Sequence, residues 1–137
     1  MADLTMLFTE TPRVVQVLYE KGIKLGIVST KFRYRIETIL RRERLLNYFE
    51  VIIGGEDVST LKPNPFGLLL AVKKLKLDRS EVIYIGDSVT DAETAKRAGI
   101  SFIAVLSGVT PRNAFNQSQL RDFLSNISEL PNILGIK

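Results

Sequence analysis

A doubly wound parallel α/β sheet in three layers is the fold class the sequence predicts, and three observations carry the prediction. Apolar runs at 24–28, 51–53, 82–85 and 101–105 are short and rich in β-branched residues, which suits buried strands. Segments between them carry apolar residues at helical spacing. The connections are short, so strand and helix alternate as βαβ units, with a parallel sheet covered on both faces. At 137 residues the chain is one domain's worth, taken as a single unit over 1–137, and no repeat, low-complexity segment or linker divides the sequence.

Each element follows from local chemistry. Thr11-Pro12 starts a helix, with Thr as cap and Pro at the first helical position, and Val14, Val15 and Leu18 form its apolar face up to Gly22. The strand 24–28 ends at Ser29-Thr30-Lys31. Phe32, Ile36, Ile39 and Leu40 predict an amphipathic helix over 32–44 that carries its arginines outward. The strand 51–53 is closed by Gly54-Gly55. A loop then leads to Lys62-Pro63-Asn64-Pro65, where Asn64 caps a helix over 65–75. Strand 82–85, a helix over 91–98 ended by Gly99, and strand 101–105 follow. The tail is read as a helix near 118–124 and a last helical turn around 128–134.

Right-handed crossovers bring the carboxyl ends of all these strands to one rim, where open α/β sheets bind ligands. Ser29, Gly54, Asp87 and 105–108 are therefore expected to share it. The stretch Ile83-Tyr84-Ile85-Gly86-Asp87-Ser88-Val89-Thr90-Asp91 puts two carboxylates four positions apart just past a strand end. Asp87 and Asp91 there suit a hard divalent cation such as Mg2+; Asp91 can equally be a helix cap. Ser29-Thr30 offers a hydroxyl and backbone N–H groups to a phosphate oxygen, or Ser29 caps the helix at 32. Lys62, beside a rigid Pro-Asn-Pro turn, is placed to aim an ammonium at an anion, or is a solvated loop lysine.

Composition removes several classes. With no cysteine and no histidine, disulfides, thiolate metal sites, His-ligated zinc and His-based triads are excluded. Net charge is +4, much of it in Arg33, Arg35, Arg41, Arg42 and Arg44, which reads as a solvated helix face rather than a nucleic-acid surface. No apolar run reaches the length of a membrane span, and residues 1–12 show no basic start followed by an apolar core, so a cytoplasmic protein is expected.

Ser29, Lys62-Pro63 and the stretch from Gly86 to Asp91 resemble the second, third and fourth motifs of the haloacid dehalogenase-like (HAD) hydrolases. Within that family the chain resembles the phosphoglycolate-phosphatase-like group, over about residues 12–108. The resemblance implies a Rossmann-type three-layer core, hydrolysis of small phosphate esters through an aspartyl-phosphate, and Mg2+ as cofactor. It implies that Ser29 hydrogen-bonds the phosphoryl group, beside the Thr30 that the strand end also offers, and that Lys62 neutralises charge. Asp87 would ligate Mg2+ and Asp91 would be a second ligand, directly or through water. Positioning and charge stabilisation are what phosphoryl transfer needs.

One departure is large. The family's first motif, a strand ending in Asp-x-Asp-Gly that holds the nucleophile, has no counterpart; the only aspartate before Ser29 is Asp3, followed by Leu4-Thr5. The resemblance then implies an incomplete core without its central strand and cap, with residues 1–11 as a remnant of the cap-to-core connection. Little or no turnover by the chain alone is expected. Two buried strand edges would lack partners, and the apolar segment 4–8 suits that gap, within one chain or across a homodimer. Two rival readings are a non-catalytic binding or assembly module and a phospho-receiver signalling domain. The receiver fits poorly, because Lys62-Pro63 precedes Asp87 and no acidic pair lies at an early strand end.

Overall fold

The computed structural model describes residues 11–60, 64–106, 114–115, 120–125 and 127–135. The elements are α1 (Thr11–Glu20), β1 (Gly26–Val28), α2 (Arg33–Arg42), β2 (Val51–Ile53), α3 (Phe66–Leu75), β3 (Ile83–Gly86), α4 (Val89–Ala98), β4 (Ser101–Val105), β5 (Leu120–Leu124) and α5 (Leu130–Ile133). Every ladder is parallel: β1 pairs with β2, and β3, β4 and β5 follow one another in a second sheet.

Strand alternation sorts side chains to two faces. Val28, Val51, Ile53, Tyr84, Phe102 and Ala104 point to one side and pack with Leu68, Ala71 and Val72 of α3 and Ala92, Ala95 and Ala98 of α4. Ile85, Ile103, Val105 and Leu124 point to the other, against Val14 and Leu18 of α1 and Leu130 of α5. Ile27 meets Val15 of α1 and Ile36 and Leu40 of α2 on that same side. Because β1, β2, β3 and β4 all feed the α3–α4 cluster, the two ladders form one layer between two layers of helix. The expected three-layer parallel architecture is what the chain adopts.

Helix boundaries follow their caps. Ser88 Oγ accepts from the Asp91 N–H at 3.1 Å, so α4 begins at Val89, two residues earlier than the sequence suggests. Gly99, at φ +71°, closes it in the left-handed region. Asn64 Oδ1 accepts from the Phe66 N–H at 2.9 Å in a local turn, but it is not the cap expected of it: Pro65 is the N-cap, no side chain caps α3, and the helix begins at Phe66. Phe32 does not join the buried face of α2: it precedes the helix and is 54% exposed, while Ile36 and Leu40 are buried.

The tail needs a correction. Leu120, Phe123 and Leu124 have helical spacing, yet 120–124 is strand β5, paired to β4 with a register shift between Phe102 and Ile103. The open edge of β4 supplies a ladder that a five-residue helix could not match. The last helical turn is where it was expected, as a 3-10 turn over Ile127–Glu129 and α5.

Among the described residues β1 and β3 have no ladder partner on their facing edges. Leu25 O accepts from Glu50 N at 2.8 Å and Ser29 N donates to Ile53 O at 3.0 Å, so those residues turn their backbone groups toward β2. Period two then turns the groups of Gly26 and Val28 toward β3. A cavity of about 390 Å³ opens here, lined by Leu18, Leu25, Gly26, Val28, Tyr84 and Ile85 among others. Close-packed interiors hold few voids larger than a water. The segment 4–8, expected as a substitute strand, lies outside the described residues.

Candidate active site

Parallel strands deliver their carboxyl ends together, and one side chain ties the two ladders at that end. Tyr84, 2% exposed, reaches from β3 with its hydroxyl 3.5 Å from Val28 O, the last carbonyl of β1, and 3.5 Å from Asp91 Oδ1 on α4. Its single proton serves one acceptor at a time at that long distance. Ser29 follows Val28, and Asp87 follows Gly86, so the exits of β1 and β3 meet around this tyrosine.

Asp91 neither caps α4 nor stands in solvent. It is 3% exposed, and its Oδ2 accepts from the Asp87 N–H at 3.3 Å. The first turn of α4 supplies the partial positive charge that a buried carboxylate needs. Gly86 makes this approach possible, since a Cβ there would lie 2.6 Å from both the Asp91 Cβ and its Oδ2. Asp87 is half-buried at the turn that this contact fixes.

Ser29, 8% exposed, keeps its N–H on the ladder with Ile53 and accepts the Lys31 N–H at its Oγ, 3.1 Å away. It closes a local turn rather than capping α2, whose N-cap Phe32 receives no side-chain bond. Thr30 beside it is exposed. Lys62 and Pro63 lie outside the described residues. Their neighbours Thr60 and Asn64 line a small crevice with Ser29 and Thr30, so both flanks of that segment come to the exit of β1. Gly54 and Leu106 follow the ends of β2 and β4 as expected, while 107–108 lie outside the described residues.

A group of residues that periodicity assigned elsewhere also reaches this rim. The Arg33 guanidinium makes a two-pronged ion pair with Asp57, its Nε 3.2 Å from Oδ2 and its Nη2 on Oδ1. Asp57 Oδ2 also accepts from Gly54 N at 2.7 Å, and Glu56 Oε1 accepts from the Arg33 N–H at 2.9 Å. That backbone bond, and one from its own N–H, hold the Glu56 carboxyl below its ordinary value of 4.5, with the Arg33 charge adding to the effect. Arg33 is thus paired at the rim while its side chain stays 42% exposed, and Arg35, Arg41, Arg42 and Arg44 are exposed as expected. The signal available in the sequence was two carboxylates, Glu56 and Asp57, in the loop that follows Gly54-Gly55.

Among the described residues no three acidic side chains cluster as a ready-made cation cage. Asp87 and Asp91 nonetheless have the donor chemistry Mg2+ uses, one or two carboxylates with the remaining positions left to water and phosphate.

The fold and this rim define a class. Residues 1–105 match the family model of the haloacid dehalogenase-like hydrolases, and the chain belongs to that family. It is 31% identical over 132 residues to phosphoglycolate phosphatase of Escherichia coli strain K12, an alignment that takes in 96% of this chain and 52% of that enzyme. Among solved structures it is similar to a protein assigned as a haloacid dehalogenase-like hydrolase from Bacteroides fragilis, at 45% identity and a TM-score of 0.87 over 90% of this chain and 59% of that one. A HAD phosphatase from Thermococcus onnurineus superposes with a TM-score of 0.83 at 28% identity, covering 93% of this chain and 58% of its own. The chain therefore spans about half the length of the curated relatives it matches.

Proposed function

We propose that the chain carries the phosphate- and Mg2+-binding part of a hydrolase of small phosphate esters similar to phosphoglycolate phosphatase. The observation that carries this reading is the convergence of the Ser29 turn and the Asp87–Asp91 turn around Tyr84, at the carboxyl ends of β1 and β3. Ser29, with the neighbouring Thr30, donates to a phosphoryl oxygen, since its Oγ lone pair is already engaged by Lys31 N and its proton remains to give. Lys62 neutralises phosphate charge from the segment whose flanks line the same crevice. Asp87 is a direct Mg2+ ligand, and Asp91 a second one, directly or through water, while its other oxygen holds the loop. Bound Mg2+ would offset negative charge on the phosphoryl group.

No Asp-x-Asp occurs in the sequence, so a covalent aspartyl-phosphate has no nucleophile in the position the family uses, and the chain alone turns over little substrate. Hydrolysis of p-nitrophenyl phosphate with and without Mg2+ tests both halves of this reading. Background rates, together with Mg2+ and phosphate binding that Asp87→Asn weakens, are the expected result. Appreciable turnover that Asp87→Asn abolishes would overturn the claim of inactivity. Absence of any phosphate binding would overturn the function itself.

The facing edges of β1 and β3, with the apolar cavity between them, favour a second reading beside the first: a core that assembles with another strand. The segment 4–8 fills that role in its own chain or in a homodimer, and sedimentation of the chain with and without residues 1–9 distinguishes the two. Its ligand is a small phosphorylated molecule, not nucleic acid or membrane, and its place is the cytoplasm. Among the described residues no helix is long and apolar enough to cross a membrane.

A further inference from the structure

We propose that Arg33 and Asp57, with Glu56 beside them, are positioning residues that clamp the Ser29 turn to the exit loop of β2 and so hold the phosphate site in shape. The inference rests on the phosphate-binding reading above. Between Ser29 and the start of α2 the chain makes no regular structure, and β1 and β2 are only three residues each. A two-stranded sheet of that size is marginal by itself. What fixes Ser29 beyond the ladder is a set of bonds reaching 23 and 24 residues along the chain.

These bonds form a closed system. Gly55 N donates to Lys31 O at 2.8 Å, the Arg33 N–H donates to Glu56, and the Arg33 side chain forks onto Asp57. Asp57 in turn accepts from Gly54 N, so one carboxylate joins the turn of its own loop to the arginine of the other. The loops touch backbone to backbone: a Cβ on Gly54 would stand 2.6 Å from Arg33 N and 3.0 Å from its Cα. The carboxyl of Glu56 is held low by these same bonds, as a group stabilised in its charged form must be. The Lys31 N–H that engages Ser29 Oγ belongs to the residue whose carbonyl Gly55 holds, so a shift of the β2 loop passes directly to the Ser29 hydroxyl.

Amide hydrogen exchange and inorganic phosphate titration in Mg2+, both followed by NMR on the 137-residue chain, test the clamp. Arg33→Ala and Asp57→Asn are each expected to speed exchange at Ser29, Lys31, Gly54 and Gly55 by about tenfold or more. Exchange in β4 should stay as it is. Phosphate binding should weaken by about tenfold, the usual effect of losing a residue that orients a binding group. Arg33→Lys, which keeps charge but not the fork, should recover part of the loss. The double variant should be no weaker than the single ones, because the two side chains act through each other. Unchanged exchange at Ser29 and Lys31 overturns the proposal, and so does faster exchange spread evenly into β4, which would make the pair merely structural. If the native chain binds no phosphate, the functional reading fails. The clamp then stands or falls on the local exchange and the double variant.

Discussion

Replacing Gly86 by alanine tests the core of the site directly. The new Cβ would sit 2.6 Å from the Asp91 Cβ, 2.6 Å from its Oδ2 and 2.7 Å from its Cγ. Ordinary van der Waals contact begins at 3.4 Å, so the gap is short by about 0.8 Å (3.4 less 2.6). Rotating the Asp91 side chain does not help, because its Cβ is itself one of the clashing atoms and is fixed by the third residue of α4. On the other side Gly86 is held in register with Ala104 of β4. The start of α4 must therefore shift, and the Asp87 N–H loses its carboxylate. Overpacking of this kind costs about 1–3 kcal/mol, which for a domain of this size lowers Tm by about 3–12 °C. Calorimetry reads the stability loss, and a Mg2+ titration should show weaker binding in the same variant. Adding Asp91→Ala should recover only part of the stability, since the Cβ contact remains. A Gly86→Ala protein that melts within about 1 °C of the native chain would refute the steric reasoning.

Three further outcomes follow from the same structure. Ser88→Ala removes the oxygen that caps Asp91 N and should cost about 1 kcal/mol, largely restored in Ser88→Asn, as urea unfolding would show. Leu40→Ala opens a hole among Val15, Ile27, Ile36 and Leu45 and should cost about 2–5 kcal/mol by the same measurement. Glu56 is held below its ordinary 4.5, so the unfolded chain binds its proton first as pH falls. The stability Glu56 contributes is then complete above that value and lost as pH drops through its lowered folded value. Melting curves from about pH 6 to about pH 3 should show a shallower acid decline in Glu56→Gln than in the native chain, and identical slopes would contradict the assignment.

Much of the fold was legible in the chain. Strands 51–53 and 101–105 have the bounds the sequence suggests, since strands covered on both faces need runs of apolar residues such as Val51–Ile53 and Phe102–Val105. Helix ends were legible where a cap carries them, as at Gly99. Periodicity failed for 120–124, whose spacing suits a helix but whose backbone is taken up by the edge of β4. It also failed for Phe32, which has the spacing of a core residue but precedes the first helical turn.

The candidate site divides the same way. Ser29, Asp87 and Asp91 declare themselves by residue type at strand ends, which the sequence alone determines because a strand followed by a break and a polar group is a local pattern. The partnership of Arg33 with Asp57, the reach of Tyr84 to both Val28 and Asp91, and the use of Asp91 as a loop holder were decided only by the tertiary structure. Apart from the Asp87–Asp91 bond, which spans four residues, those contacts join residues separated by 7 to 56 positions, and such separations carry no local signal. They form because parallel pairing brings distant strand ends to one rim, where buried polar groups must find whichever partners the fold has brought within reach.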